Sequence, residues 1–226
     1  MRSYAEFIIA VEAGNLRLVL QILEEGFETG TSHHFNTPLY VAARGGHDTV
    51  LWVLLNNGFK NINEPGKRTL RNGTIYYETP LFVAARYGHN GVVGQLLAAG
   101  CDKDKANFYE MTALHMAAQN GHKEVVLQLL DADCDKDKAN NYGSTVLHLA
   151  ALYGCYDVVR ELLIHGCDPN KVDNDRSIPL HEACREGHQK VAVILIDFRS
   201  DIKKVDNDGK TPRAYAAERG FEYIFY

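Results

Sequence analysis

Long apolar runs, a strong charge of one sign and an even set of cysteines are all missing from this sequence of 226 residues. No apolar run approaches the ~18 residues of a spanning helix, which excludes a membrane span. Glu6 interrupts the start of the chain, so we expect no secretory signal. The net charge of −5 argues against nucleic acid as a partner. Five cysteines indicate reduced thiols and a cytoplasmic or nuclear location.

Motifs for catalysis or metal binding are also missing. The sequence contains no Cys-x-x-Cys, His-Glu-x-x-His, Gly-x-Ser-x-Gly or phosphate-loop pattern. Most of the ten histidines recur at one spacing, which is more typical of a hydrogen-bonding framework than of metal ligands. We therefore expect a protein that is not an enzyme and that has no catalytic residue, metal or cofactor.

An internal repeat is the main feature that is present. The segment TPLYVAARGGH begins at Thr37, a weaker copy begins at Ala5, and further copies begin at Thr79, Thr112, Thr145, Ile178 and Thr211. From residue 79 onward the copies begin 33 residues apart, whereas residues 37 and 79 are 42 apart. An apolar pair such as Leu54-Leu55 follows each of the first six starts at a fixed distance. A shared phase over so many copies indicates stacked structural units.

Each unit predicts two short helices. Thr37 can act as the N-cap of the first helix, and Pro38 fits its first position because no N–H is needed there. Gly46 can end that helix in the left-handed conformation. The second helix is expected over 48–57, with the apolar pair facing inward. Helices this short cannot bury an apolar face alone, so neighbouring units must stack.

These units resemble the ankyrin repeat, whose period is 33 residues and whose motif is T-P-L-H-x-A. The resemblance implies an all-α ankyrin-repeat solenoid of helix-turn-helix units joined by β-hairpin fingers, an L-shaped stack with a concave groove. It covers residues 1–226 as a single domain of about seven units, in which the first and last act as caps. It also implies a protein-protein interaction scaffold that holds a peptide or protein partner in the groove.

Several positions depart from the family pattern. The glycine of the hairpin is replaced in four units, where we expect either a distorted tip or a non-glycine residue with a positive φ. The glycine after the second helix is replaced in two units. The replacing residues are Phe35, Tyr77, Glu110 and Arg176 in the hairpins, and Asp133 and Arg199 after the helices.

The long interval places an insertion within 59–78, where Asn72-Gly73 lies between β-forming residues. This pattern predicts an elongated finger that carries Lys67, Arg68 and Arg71. A disordered insertion is the alternative, and nucleic-acid binding by a basic finger is a rival function.

Partner contacts are expected at the hairpin and helix-end positions that the repeat framework leaves variable. Aromatic and apolar residues gather there in the middle units. The candidate partner-binding residues are Arg44, Tyr76, Arg86, Tyr87, Phe108, Tyr109, Met111, Tyr142, Leu152, Tyr153 and Arg185. Because arginines and lysines dominate the N-terminal side, we expect a partner with an apolar centre and an acidic segment facing that side.

Two further alternatives stay open. In the first, the chain is the recognition module of a larger enzyme or effector whose other domain follows Tyr226, an alternative that the short last unit favours. Self-association through the apolar segment 221–226 is the other alternative.

Overall fold

The computed structural model describes residues 2–28, 36–69 and 71–226. The described residues form thirteen α-helices, four short strands and one 3-10 helix. The helices are α1 (Tyr4–Glu12), α2 (Leu16–Glu25), α3 (Pro38–Gly45), α4 (Asp48–Asn56), α5 (Pro80–Tyr87), α6 (Asn90–Ala98), α7 (Ala113–Gln119), α8 (Lys123–Asp131), α9 (Val146–Leu152), α10 (Tyr156–Ile164), α11 (Pro179–Glu186), α12 (Gln189–Asp197) and α13 (Pro212–Glu218). Among them, none is both long and apolar enough to cross a membrane.

The local signals of the repeat produce the predicted helix pairs. The Thr37 hydroxyl accepts a hydrogen bond from the N–H of Tyr40 at 3.2 Å, and Pro38 opens α3. Gly46 ends α3 with φ 68°, which costs glycine little. The second helix of this unit, α4, begins two residues later. The prediction of an all-α repeat of helix pairs is therefore confirmed.

The chain divides into two compact units, one ending at Phe108 and the other beginning at Tyr109. Unit 1 contains α1 to α6 and all four strands. Its first helices pack in a row, α1 on α3 and α3 on α5, and its second helices follow, α2 on α4 and α4 on α6. Strands β1 (Arg2–Ser3) and β2 (Phe27–Glu28) pair in parallel beside α1.

Unit 2 contains α7 to α13 and the 3-10 helix Glu222–Phe225. The first helices α7, α9, α11 and α13 pack in sequence, and α8, α10 and α12 cover one side of them. The core consists of the alanine and leucine positions of each first helix and the apolar pair of each second helix, for example Leu147, Ala150 and Leu162. Phe221 is buried and closes the end of α13.

The insertion forms the predicted elongated finger. Strand β3 (Gly66–Thr69) pairs antiparallel with β4 (Ile75–Glu78), with Gly66 opposite Glu78 and Thr69 opposite Ile75. Gly73 takes a φ of 83° in the connection, as the Asn-Gly pair predicted. The Tyr40 ring lies against Gly66: a Cβ added there would be 2.1 Å from Tyr40 Cδ1. The finger is therefore packed onto α3 through a residue that has no side chain.

The replaced glycines behave in two ways. Glu110, Asp133, Arg176 and Arg199 have φ values of 55–65°, so the left-handed conformation, predicted for the hairpin positions, is kept without glycine. Tyr77 does not take the left-handed conformation, because it lies inside β4 and pairs with Lys67. The added residues turn this position into extended strand. Phe35 lies outside the described residues.

Candidate partner-binding surfaces

The motif histidines form a hydrogen-bonding framework. In unit 2, His148 Nδ1 accepts a bond from the N–H of Thr145 at 3.2 Å, so Nε2 carries the proton and donates to the carbonyl of Ser177 at 3.1 Å. Burial lowers the pKa of His148, and likewise that of His115, to about 4. No set of three side chains in the described part of the chain is arranged to hold a metal ion.

A second row of histidines joins the ends of neighbouring first helices. His47 Nε2 lies 2.9 Å from the carbonyl oxygen of Glu12, and His188 Nε2 lies 3.0 Å from that of Leu152. In the same row of unit 2, the Cys155 thiol replaces histidine and lies 3.7 Å from the carbonyl oxygen of Gln119. These side chains fix helix ends side by side, so the residues at those ends form regular rows.

The arginines of unit 1 are engaged by carboxylates. Glu78 is buried and binds Arg86 at 2.5 Å and Arg68 at 3.4 Å. Arg44 forms an ion pair with Glu12. Arg86 is also largely covered, with 13% of its side chain exposed. Three arginines of the basic flank expected from the sequence are thus paired with two carboxylates, since a sequence shows the charges but not their pairing.

The aromatic candidates of unit 1 differ in exposure. Tyr87 ends α5 with 47% exposed, and its ring centroid lies 6.0 Å from that of His89. Phe108 is 85% exposed. Tyr76 is half-buried on the inner face of the finger, with the Arg68 guanidinium 6.0 Å from its ring. Tyr87 and Phe108 are therefore the accessible aromatic side chains among these three.

In unit 2 the hairpin tips stack in register. The N–H of Asn141 donates to the carbonyl of Tyr109, the N–H of Asn174 to that of Tyr142, and the N–H of Asn207 to that of Asp175, at 2.9–3.0 Å. The four residues that follow one another along the tips are Tyr109, Tyr142, Asp175 and Asp208. We call this set the tip row.

The helix ends form a parallel row, made of Asn120, Tyr153, Glu186 and Arg219. We call this set the helix-end row, and the two rows together the tyrosine face. Side-chain bonds connect helix ends to the hairpins between the rows, from Arg185 to Ser177 at 3.3 Å and from Lys210 to Glu218 at 2.6 Å. Tyr142 is 64% exposed and Tyr153 is 53% exposed.

The remaining candidates in unit 2 are less exposed than Tyr142 and Tyr153. Tyr109, Met111 and Leu152 are half-buried, and the Asn140 amide contacts Met111 Sδ at 3.2 Å. Arg185 pairs with Glu182 at 3.3 Å and with Asp206 at 3.8 Å, and its guanidinium stacks 4.9 Å from the Tyr215 ring. Its charge is therefore already compensated. Tyr142 and Tyr153 are the most accessible candidates of unit 2.

Sequence reasoning missed an exposed tryptophan. Trp52, the single tryptophan, is 60% exposed on α4 and borders an apolar cleft of about 450 Å³ with Leu16 and Leu20. The equivalent residues of the other units could have revealed this exposure, because the same position holds Arg160 in α10. A repeat position that accepts arginine in one unit faces solvent.

Comparison with known proteins agrees with the geometry. A family model described as ankyrin repeats (three copies) matches residues 7–107, 81–173 and 161–225. A search of curated proteins returns no match. The matched segments extend over nearly the whole chain and coincide with the helix pairs. The chain therefore belongs to the ankyrin-repeat family.

Proposed function

We propose that this protein is a non-enzymatic binding module whose protein or peptide partner docks on the tyrosine face. Ankyrin repeats are generally protein-protein interaction modules. The observation that carries the proposal is the exposure of Tyr142 and Tyr153, which the repeat framework does not require. Adjacent exposed aromatic side chains on a rigid framework are typical of interaction surfaces.

The framework favours such a role. Both tyrosines are held at fixed places, Tyr142 by the stacked tips and Tyr153 by the end of α9. Tyrosine offers a large contact area with few rotatable bonds, so little entropy is lost on binding. Leu152 and Met111 add half-buried apolar surface beside them. A partner side chain placed there would cover apolar area without any change of the backbone.

Alanine substitution tests this proposal. The double variant Tyr142→Ala/Tyr153→Ala is used beside the wild type to isolate partners by affinity purification, and each purified partner is then titrated by calorimetry. We expect each alanine to weaken binding by about 1–3 kcal/mol. Tyr156→Ala is the matched control, because Tyr156 is an exposed tyrosine on the second helix α10. Equal affinity of the double variant and the wild type for every partner would refute the proposal.

A further inference from the structure

The acidic groups around Tyr142 and Tyr153 include several that form no ion pair. Both rows begin with polar or aromatic residues and continue with carboxylates, Asp175 and Asp208 in the tip row and Glu186 in the helix-end row. These three carboxylates are exposed and form no ion pair with any residue in the described ranges. Asp175 and Glu186 follow Tyr142 and Tyr153 by one repeat, and Asp208 follows Tyr142 by two.

Two basic groups of the same face are already engaged. Arg185 is bound by Glu182 and Asp206, and Lys210 is bound by Glu218 at 2.6 Å. Arg219 is the one base in the two rows. Arg219 forms no ion pair in the described ranges, so an incoming anion meets one unpaired base, whereas an incoming cation meets the three unpaired carboxylates Asp175, Glu186 and Asp208.

A second effect shows that the carboxylates act on one another. Burial raises the pKa of Glu182, and Asp173, Glu186 and Asp175 raise it further against the opposing effect of Arg185. The neighbouring acids thus repel the charged form of Glu182. A cation brought to this place relieves repulsion in addition to forming new pairs.

We propose that the partner segment bound by the tyrosine face is positively charged, with a lysine or arginine side chain that lies on Tyr142 and reaches Asp175, or lies on Tyr153 and reaches Glu186. An aromatic ring beside a carboxylate suits such a side chain, because the ring contacts the aliphatic stem and attracts the cation while the carboxylate binds the head group. This inference rests on the proposed function and names the chemistry of its partner. The acidic segment expected from the sequence faces the N-terminal side, so that expectation concerns another part of the partner.

The test uses a phage-displayed library of random 12-residue peptides selected on the full chain. Peptides that bind the wild type but not Tyr142→Ala/Tyr153→Ala are kept, synthesised and titrated by fluorescence anisotropy. We expect these peptides to carry net positive charge and to bind more weakly as salt is raised. Neutral or acidic peptides in this set would overturn the inference and leave the proposed function intact. A library that yields no tyrosine-dependent peptide would instead overturn the proposed function.

Matched variants then locate the charge effect. The triple variant Asp175→Asn/Glu186→Gln/Asp208→Asn is expected to weaken the basic peptides about tenfold, since each exposed charge pair contributes modestly. Its control removes as many exposed carboxylates from the second helices α8, α10 and α12, in Glu124→Gln/Asp157→Asn/Asp197→Asn. The control is expected to bind within about twofold of the wild type. Equal weakening by the two triple variants would overturn the inference, because it would assign the effect to net charge alone.

Discussion

Acidification should destabilise unit 2 through its buried histidines. His115 and His148 each accept a backbone N–H bond at Nδ1, from Thr112 and Thr145. A proton added at that nitrogen would face a donor inside the core. Burial accordingly lowers the pKa of both histidines to about 4, whereas an unfolded histidine titrates near ~6.5.

The magnitude follows from this difference. Because the folded pKa is the lower one, the unfolded chain binds more protons, and stability falls as pH drops from about 6.5 towards 4. At pH 5 each histidine costs the folded state about 2 kcal/mol, at ~1.36 kcal/mol for each pH unit below 6.5. The pair costs about 4 kcal/mol, a large part of the ~5–15 kcal/mol that stabilises a typical domain. Glu182 and Asp173, whose pKa values are raised, act in the opposite direction at lower pH.

Urea unfolding followed by circular dichroism at pH 7, 6 and 5 measures this loss. In His148→Gln the amide can still accept from Thr145 and donate to Ser177, but it does not titrate. Because His115 and His181, whose pKa burial also lowers, still titrate, this variant should lose about 2 kcal/mol less stability than the wild type on acidification to pH 5. His165→Gln, at an exposed histidine, is the control and should lose the full amount. A wild type equally stable at pH 7 and 5, or a full loss in His148→Gln, would refute the reasoning.

Three further predictions concern stability and use the same unfolding assay. Glu78→Gln leaves the covered Arg86 without its buried anion and should cost about 3 kcal/mol; a loss below 1 kcal/mol would contradict a buried pair. Gly66→Ala places a Cβ into the Tyr40 ring and should cost about 1–3 kcal/mol, so wild-type stability would show that the ring moves freely. Arg176→Gly should stabilise by about 0.5–1 kcal/mol, because glycine takes the left-handed conformation without steric cost, and a destabilised variant would contradict this.

The repeat made most of the fold predictable. The helix pairs follow from local signals repeated at one period: threonine as N-cap, proline at the first position and glycine at the end, as in α3. The finger was predictable from Asn72-Gly73 between β-formers, since this pair favours the positive φ that a chain reversal needs. The parallel pair of β1 and β2 was not, because each strand has two residues and carries no pattern of its own.

The surface was harder to predict than the fold. The variable hairpin and helix-end positions of the repeat place Tyr142 and Tyr153 in rows of exposed residues, because neighbouring repeats stack in register. They could not show that Glu78 pairs with both Arg68 and Arg86, since these pairings depend on the path of the finger. The expected charge of the partner depended on those pairings.

The stacked tips of unit 2 also provide a way to follow the coupling between repeats. The amides of Asn141, Asn174 and Asn207 lie in loops, where hydrogen exchange is fast, yet each is bonded to the tip before it. Its exchange rate therefore reports how often two adjacent repeats separate. A bound partner that spans two tips should slow exchange at the amide between them. The footprint of a partner can thus be mapped along the chain, one repeat at a time, without changing any residue.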